Sequence, residues 1–285
     1  MGYSITDIIQ KKEENKKISM LTAYDYYMSR LVDESEIDII LVGDSLGNVI
    51  QGQETTLPVT LDEMIYHTKM VKRGKSKALL VADLPFMSFQ TGVKKALESA
   101  GRLMKEAKAE AVKLEGGQRV VPQIKAMTQA GIPVMGHLGL TPQSVNQLGG
   151  FKVQGREEKK ARKLINDALA LEKAGVFALV LETVPREIAK IITEKLSIPV
   201  IGIGAGPDCD GQVLVLHDLL GVDDKFSPSF ARKYVDLNKI IKEAVQQYIT
   251  DIDNNDFPSD DESFNLDNKK LLKSLTKEFV QNENN

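Results

Sequence analysis

The chain is poor in several residue types, and each scarcity closes off a class of protein. It has one cysteine, Cys209, among 285 residues, and no tryptophan. A single thiol cannot build an internal disulfide framework or a cysteine-ligated structural zinc site. A reducing, cytoplasmic setting is the simplest expectation. No window reaches 18 consecutive apolar residues, so no membrane span is expected. The opening stretch MGYSITDIIQKKEENKK lacks the apolar core and small-residue cleavage site of a secretory signal. Gly2 and Thr6 fit a short myristoylation pattern that nothing else supports, and one acyl chain anchors poorly. Charge of one sign is also missing. Lys and Arg total 37 against 40 for Asp and Glu, a net of −3, which gives no electrostatic case for nucleic acid or an anionic membrane.

What is present is ordinary for a soluble protein with a sizeable core: 42% hydrophobic and 27% charged residues. The length fits two domains, or one α/β barrel of about 250 residues. Short apolar runs recur at 18–23, 37–43, 78–82, 111–114, 132–136, 178–181, 198–203 and 212–216. They are rich in β-branched residues and Leu without strict alternation, as in strands buried on both faces of a parallel sheet. Helical spacing fills most of the gaps. Thr60 and Glu63 form a capping box before Leu61, Met64, Ile65, Thr68 and Val71. Further stripes run from Val93 to Ala107, Val120 to Met127, Leu164 to Leu171 and Ile188 to Ile192.

Alternating strands and helices predict an α/β fold, a (β/α)8 TIM barrel with a C-terminal helical and acidic extension. The barrel is expected over 1–251 and the extension, partly disordered or peripheral, over 252–285. A long last barrel helix is expected after Ser227, with Pro228 at its first position and Phe230, Tyr234 and Leu237 on its stripe. The connection 204–211 is too short for a full helix. The long connection 138–154, with three glycines, is a candidate active-site loop.

In such a barrel the chemistry lies at the C-terminal ends of the strands. There the chain carries Asp44 and Ser45, Asp83, Lys113 and Glu115, His137 and Glu182. One acid at a strand end is commonly a helix cap. Several together beside apolar strands need a cation, since an unpaired buried charge costs several kcal/mol. Oxygen donors without Cys or a His cluster favour a hard ion, Mg2+ first.

Three motifs mislead. Gly43-Asp44-Ser45-Leu46-Gly47 fits the nucleophile elbow of hydrolases, but the late Asp-x-x-His of the matching esterases is missing. Gly202-Ile203-Gly204-Ala205-Gly206 fails the dinucleotide spacing, because the frames end on Pro207 or Cys209. Asp251 to Glu262 imitates a Ca2+ loop but has Asp256 where glycine makes the sharp turn, and Pro258 after it. His67 reads as a packing or surface residue. His217, at the end of the eighth run, reads equally well as core or cavity.

The blocks LTAYD (21–25), VGDSLG (42–47), ADLPFM (82–87), VKLEGG (112–117), GHLGLTPQ (136–143), LETVP (181–185) and IGIGAGPDCDGQVLV (201–215) occur in that order. The chain resembles the ketopantoate hydroxymethyltransferase family from about Ile5 to Phe264. The resemblance implies a decameric, Mg2+-dependent barrel that moves a one-carbon unit from 5,10-methylenetetrahydrofolate to 3-methyl-2-oxobutanoate, giving 2-dehydropantoate for pantothenate synthesis. It implies Asp44 and Asp83 as metal ligands, with Glu115 at the metal directly or through water. Asp44, Ser45, Asp83, Lys113 and His137 would line the keto-acid site, and Glu182 would be the proton acceptor. One departure is Glu262, which stands where the family pattern F-P-x-x-E-H-S-F carries histidine. The competing enzyme class is the Mg2+-dependent carbon–carbon lyases and mutases of the isocitrate lyase and phosphoenolpyruvate mutase type. They would want a Lys-x-x-Cys-Gly-His-like loop, which the sequence lacks.

Overall fold

The computed structural model describes residues 2–150, 152–225 and 228–280. Eight parallel strands close into a barrel in sequence order. They are β1 (Ile18–Thr22), β2 (Ile39–Val42), β3 (Leu79–Asp83), β4 (Ala111–Glu115), β5 (Val134–Gly139), β6 (Ala178–Glu182), β7 (Val200–Ile203) and β8 (Gly211–Leu214). β1 pairs with β8 to complete the ring, with Ile18 opposite Gly211. Every expected apolar run is a strand, and the barrel expectation holds.

The helices up to the fifth strand are α1 (Ile5–Glu13), α2 (Tyr26–Glu34), α3 (Leu46–Val49), α4 (Leu61–Gly74), α5 (Val93–Ala107) and α6 (Val121–Gln129). After it come α7 (Val145–Leu148), α8 (Glu158–Ala174), α9 (Arg186–Lys195), α10 (Leu216–Leu220), α11 (Leu237–Asp253) and α12 (Lys269–Phe279). The capping box predicted at α4 is formed in both directions, Thr60 to Glu63 and back. The chain divides into two compact units, Met1–Val235 and Asp236–Asn285. No helix among the described residues is long and apolar enough to cross a membrane.

The period-2 pleat of each strand sorts its side chains into two cores. One set, including Ile40, Val42, Leu80, Ala82, Val112, Leu179 and Leu181, packs outward against helix residues such as Met64, Leu103, Ile124 and Leu171. The other set, Met20, Ile39, Leu79, Val81, Ala111, Met135, Ala178, Val180 and Ile201, fills the barrel interior. α1 closes the end where the strands begin. Ile8 is fully buried in the interior cluster, with Tyr3, Ile5 and Ile9 beside it. Lys11 pairs with Asp38 at the foot of β2, and Lys12 reaches Asp210 at the foot of β8 at 2.8 Å. Burying one such isoleucine is worth about 1.5–3 kcal/mol.

Two expectations need correction. The last long helix starts at Leu237, not after Ser227; Ser227 itself lies outside the described residues. Asp236 caps that helix through the N–H of Lys239. Phe230 instead lies against Gly204, whose φ of 61° puts backbone so near the ring that a Cβ there would meet it at 2.8 Å. The second is the helical content before β2: α1 and α2 add two helices to those that the apolar spacing predicts.

Candidate active site

The barrel interior changes character along its axis. On β3 the inward column runs Leu79, Val81, Asp83. On β4 it runs Ala111, Lys113, Glu115, and on β6 Ala178, Val180, Glu182. On β5 Met135 is followed two residues on by His137. The polar residues therefore continue the same parity that builds the apolar floor. Register brings them level, with Asp83 opposite Lys113 and Glu115 opposite His137. They line a cavity of about 890 Å3 together with Asp44 and Ser45 from the β2–α3 turn. All seven predicted site residues thus meet at one mouth. The predicted loop over 138–154 contributes Leu140, Pro142, Val145 and Val153 to its wall.

Asp83 is held from two sides. Its Oδ1 lies 2.5 Å from Lys113 Nζ, and its Oδ2 accepts the backbone N–H of Asp44 at 3.2 Å. Asp44 Oδ2 accepts from the Gln143 side-chain amide at 2.8 Å. Ser45 Oγ is 2.8 Å from the hydroxyl of Tyr24, a phenol rather than the histidine that a hydrolase elbow would present. His137 stands between two acids. Its Nε2 is 3.2 Å from Glu182 Oε2 and its Nδ1 3.7 Å from Glu115 Oε1, though neither contact is aligned as a hydrogen bond. Arg186, the nearest cation in sequence to Glu182, pairs instead with Asp208 at 3.2 Å.

Burial first, and then the charge of Asp83, push the Asp44 carboxyl above its ordinary range. Burial and the charge of Asp44 push Glu115 well above its own. Burial works against the charge on Lys113, but Asp83 and Asp44 outweigh it and hold the ammonium above its usual pKa. Four carboxyl groups thus share one lysine, and two of them, Asp44 and Glu115, are driven toward the neutral form.

The backbone that aims Glu182 is strained. Thr183, a β-branched residue, sits at φ 53°, held by its N–H to Ile203 and its carbonyl to the N–H of Gln154. Gly139 lies alongside at φ 95°, where a Cβ would come within 2.2 Å of the Glu182 carbonyl oxygen.

The donor set suits Mg2+. Among the described residues no three His, Cys, Asp or Glu side chains already close into a metal cage. Mg2+ does not require one, since it takes one or two carboxylates and keeps water and substrate oxygens for its other positions. Asp44 and Asp83 supply two such oxygen donors, and a divalent cation beside them would favour the ionised form of Asp44 that burial opposes.

Asp218 and Phe230 were not foreseen as lining residues. They line the cavity together with His217, which like Asp218 comes from α10. Burial lowers the pKa of His217; burial, then the charge of Asp223, raises Asp218 to about 6. His217 had been left open between core and cavity, and it faces the cavity. His67 is a packing residue, its Nδ1 2.7 Å from the carbonyl oxygen of Tyr24. Gln143 closes the block GHLGLTPQ, but nothing in the sequence alone pairs its amide with the carboxylate of Asp44.

A closed parallel barrel with its ionisable side chains gathered at the C-terminal mouth defines a TIM-barrel enzyme. Solved structures bear out the architecture. Phosphoenolpyruvate phosphomutase from Streptomyces platensis subsp. rosaceus superposes with a TM-score of 0.61 at 13% identity, over 99% of this chain and 98% of that one. Phosphonopyruvate hydrolase, solved with oxalate and Mg2+, gives 0.59 at 10% identity over 98% and 100%. The family model for ketopantoate hydroxymethyltransferase matches residues 3–260. The 3-methyl-2-oxobutanoate hydroxymethyltransferase of Clostridium botulinum is 55% identical over 96% of this chain and 99% of that protein. That of Moorella thermoacetica is 58% identical over 89% and 94%. The chain belongs to the ketopantoate hydroxymethyltransferase family.

Proposed function

We propose that the cavity transfers a hydroxymethyl unit from 5,10-methylenetetrahydrofolate to 3-methyl-2-oxobutanoate, giving 2-dehydropantoate at the entry to pantothenate synthesis. Family membership supports the overall reaction. One observation supports the division of labour: Glu182 opens into the same cavity as Asp44, Asp83 and Lys113.

Asp44 and Asp83 would hold Mg2+, with Glu115 behind them. The ion would supply Lewis acidity at the keto-acid oxygens, worth several kcal/mol to developing negative charge. Lys113 adds a fixed positive charge at the same end, where little water competes. Ser45, steadied by Tyr24, offers a hydroxyl to the substrate carboxylate. Glu182 takes the proton from C3, next to the ketone, and the carbanion bonds to the methylene carbon as that carbon's bond to one folate nitrogen breaks, the nitrogen taking up the proton. Water then replaces the second folate nitrogen, so tetrahydrofolate leaves and the water oxygen becomes the new hydroxyl. His137, whose ring nitrogens are not committed to a hydrogen bond, is available to the keto acid beside Glu182. Leu140, Val145 and Val153 keep water from the electrophile.

Fold likeness to phosphoenolpyruvate phosphomutase extends to the barrel alone. A lyase loop would need a reactive cysteine, and the chain's one cysteine, Cys209, is buried within the β7–β8 connection. The large apolar side chains Tyr27, Leu31 and Tyr66, exposed on adjoining α2 and α4, support assembly into an oligomer, in keeping with a decamer in the cytoplasm.

Exchange of the C3 proton into deuterated water, followed by NMR without folate, tests the base. Wild type exchanges in a manner abolished by chelator and restored by Mg2+. Glu182→Gln loses at least about 100-fold in exchange, the scale of a general base, while its affinity for Mg2+ persists. Exchange at the wild-type rate in Glu182→Gln removes Glu182 from the role.

A further inference from the structure

Gln143 is buried, with 6% of its surface accessible, and every polar atom of its side chain is engaged. The amide nitrogen donates to Asp44 Oδ2 at 2.8 Å and to the Leu84 carbonyl at 2.9 Å. The amide oxygen accepts from Gln90 Nε2 at 3.0 Å. The orientation is therefore fixed, because turning the amide over would set oxygen against two acceptors and nitrogen against a donor. Its backbone N–H donates to Glu115 Oε2 at 3.1 Å. One residue thus donates to one oxygen on each of two cavity acids, Asp44 in the β2–α3 turn and Glu115 at the end of β4. Asp83 has no free pair of oxygens either, being held by Lys113 and the Asp44 N–H.

A carboxylate chelates an ion through both oxygens only when both are turned to it. Ca2+ takes six to eight oxygens at longer distances and often accepts carboxylates bidentately. Mg2+ takes six in a near-ideal octahedron, with one or two carboxylates contributing single oxygens and water completing the shell. We propose that Gln143 is a positioning residue that makes this cavity select Mg2+ over Ca2+, by holding Asp44 and Glu115 to one available oxygen each. The proposal rests on the reading that the cavity holds a divalent cation. Gln90 belongs to the same device at one remove, since its hydrogen bond keeps the Gln143 amide facing Asp44.

The test is isothermal titration of the full-length protein with MgCl2 and separately with CaCl2, both in the presence of 3-methyl-2-oxobutanoate, giving a ratio of dissociation constants. Gln143→Leu keeps the bulk and removes the hydrogen bonds of the side chain. Outer-shell partners shift metal affinity by about 10- to 100-fold, so the preference for Mg2+ is expected to fall by about tenfold or more. Gln90→Leu, which leaves Gln143 in place, should move the ratio the same way by about threefold. It decides the matter if Gln143→Leu does not fold. A ratio within about twofold of wild type, or parallel weakening of both ions, overturns the role of Gln143 and leaves the metal reading standing. A wild-type protein that binds no Mg2+ overturns both.

Discussion

Replacing Asp218 by asparagine should stabilise the protein at neutral pH. Burial, then the nearby charge of Asp223, raises this carboxyl from 3.8 to about 6. The native state therefore holds a proton at Asp218 across a window in which the unfolded chain has released it. Stability falls as pH rises through that window, and the penalty is complete above about pH 6. A shift of about two units corresponds to about 3 kcal/mol. Asp218 is only partly buried, and solvent screening brings the expected penalty to about 1–2 kcal/mol. Asparagine keeps the shape and never ionises, so it escapes the cost. In a barrel of this size a gain of 1 kcal/mol raises Tm by about 2–4 °C. Thermal melts of both proteins from pH 4.5 to 8 check this. The curves should separate as pH rises, then run parallel above about pH 6, with asparagine higher by about 2–8 °C. Equal Tm values at pH 7.5, or a gap that does not change with pH, would refute the assignment of the raised carboxyl. A group that costs stability on a cavity wall is the pattern of residues kept for binding rather than for folding.

Gly139→Ala should disable the site from its backbone: with φ at 95° and the Glu182 carbonyl 2.2 Å from the new Cβ, β5 and β6 must part where Glu182 is aimed. C3–H exchange should drop by at least about tenfold, and an unchanged rate in the variant would show that Glu182 is not held this way. Ile8→Ala should cost about 2–5 kcal/mol by opening a cavity in the barrel floor, read as a lower urea midpoint at unchanged m-value. A loss below about 1 kcal/mol would mean the floor repacks without it.

The barrel was legible because most of its strands are buried on both faces, which writes them as short, largely apolar runs, β1 and β8 being the partly exposed exceptions. The site was legible for a related reason. Asp83, Glu115 and Glu182 end runs that are otherwise apolar, and a charge in such a place must face either a partner or an opening. Other parts were not. Phe230 and Tyr234 fit a helical stripe, yet a cap at Asp236 and the space over Gly204 decided their conformation, and neither shows in local spacing. The opening helix reads as a short polar segment, because Ile8 finds its burial only in a barrel built from strands far along the chain. Gln143 and Tyr24 act through pairings across the fold, with Asp44 and Ser45. Periodicity carries no information about such pairs.

The floor laid by Ile8 and its neighbours turns the barrel into a shaft with a single door. On the reading proposed above, the keto acid would sit deepest, beside Lys113, with the folate above it, and the two would then have to enter in that order. That order would be set by a nine-residue helix whose Ile8 is fully buried in the floor.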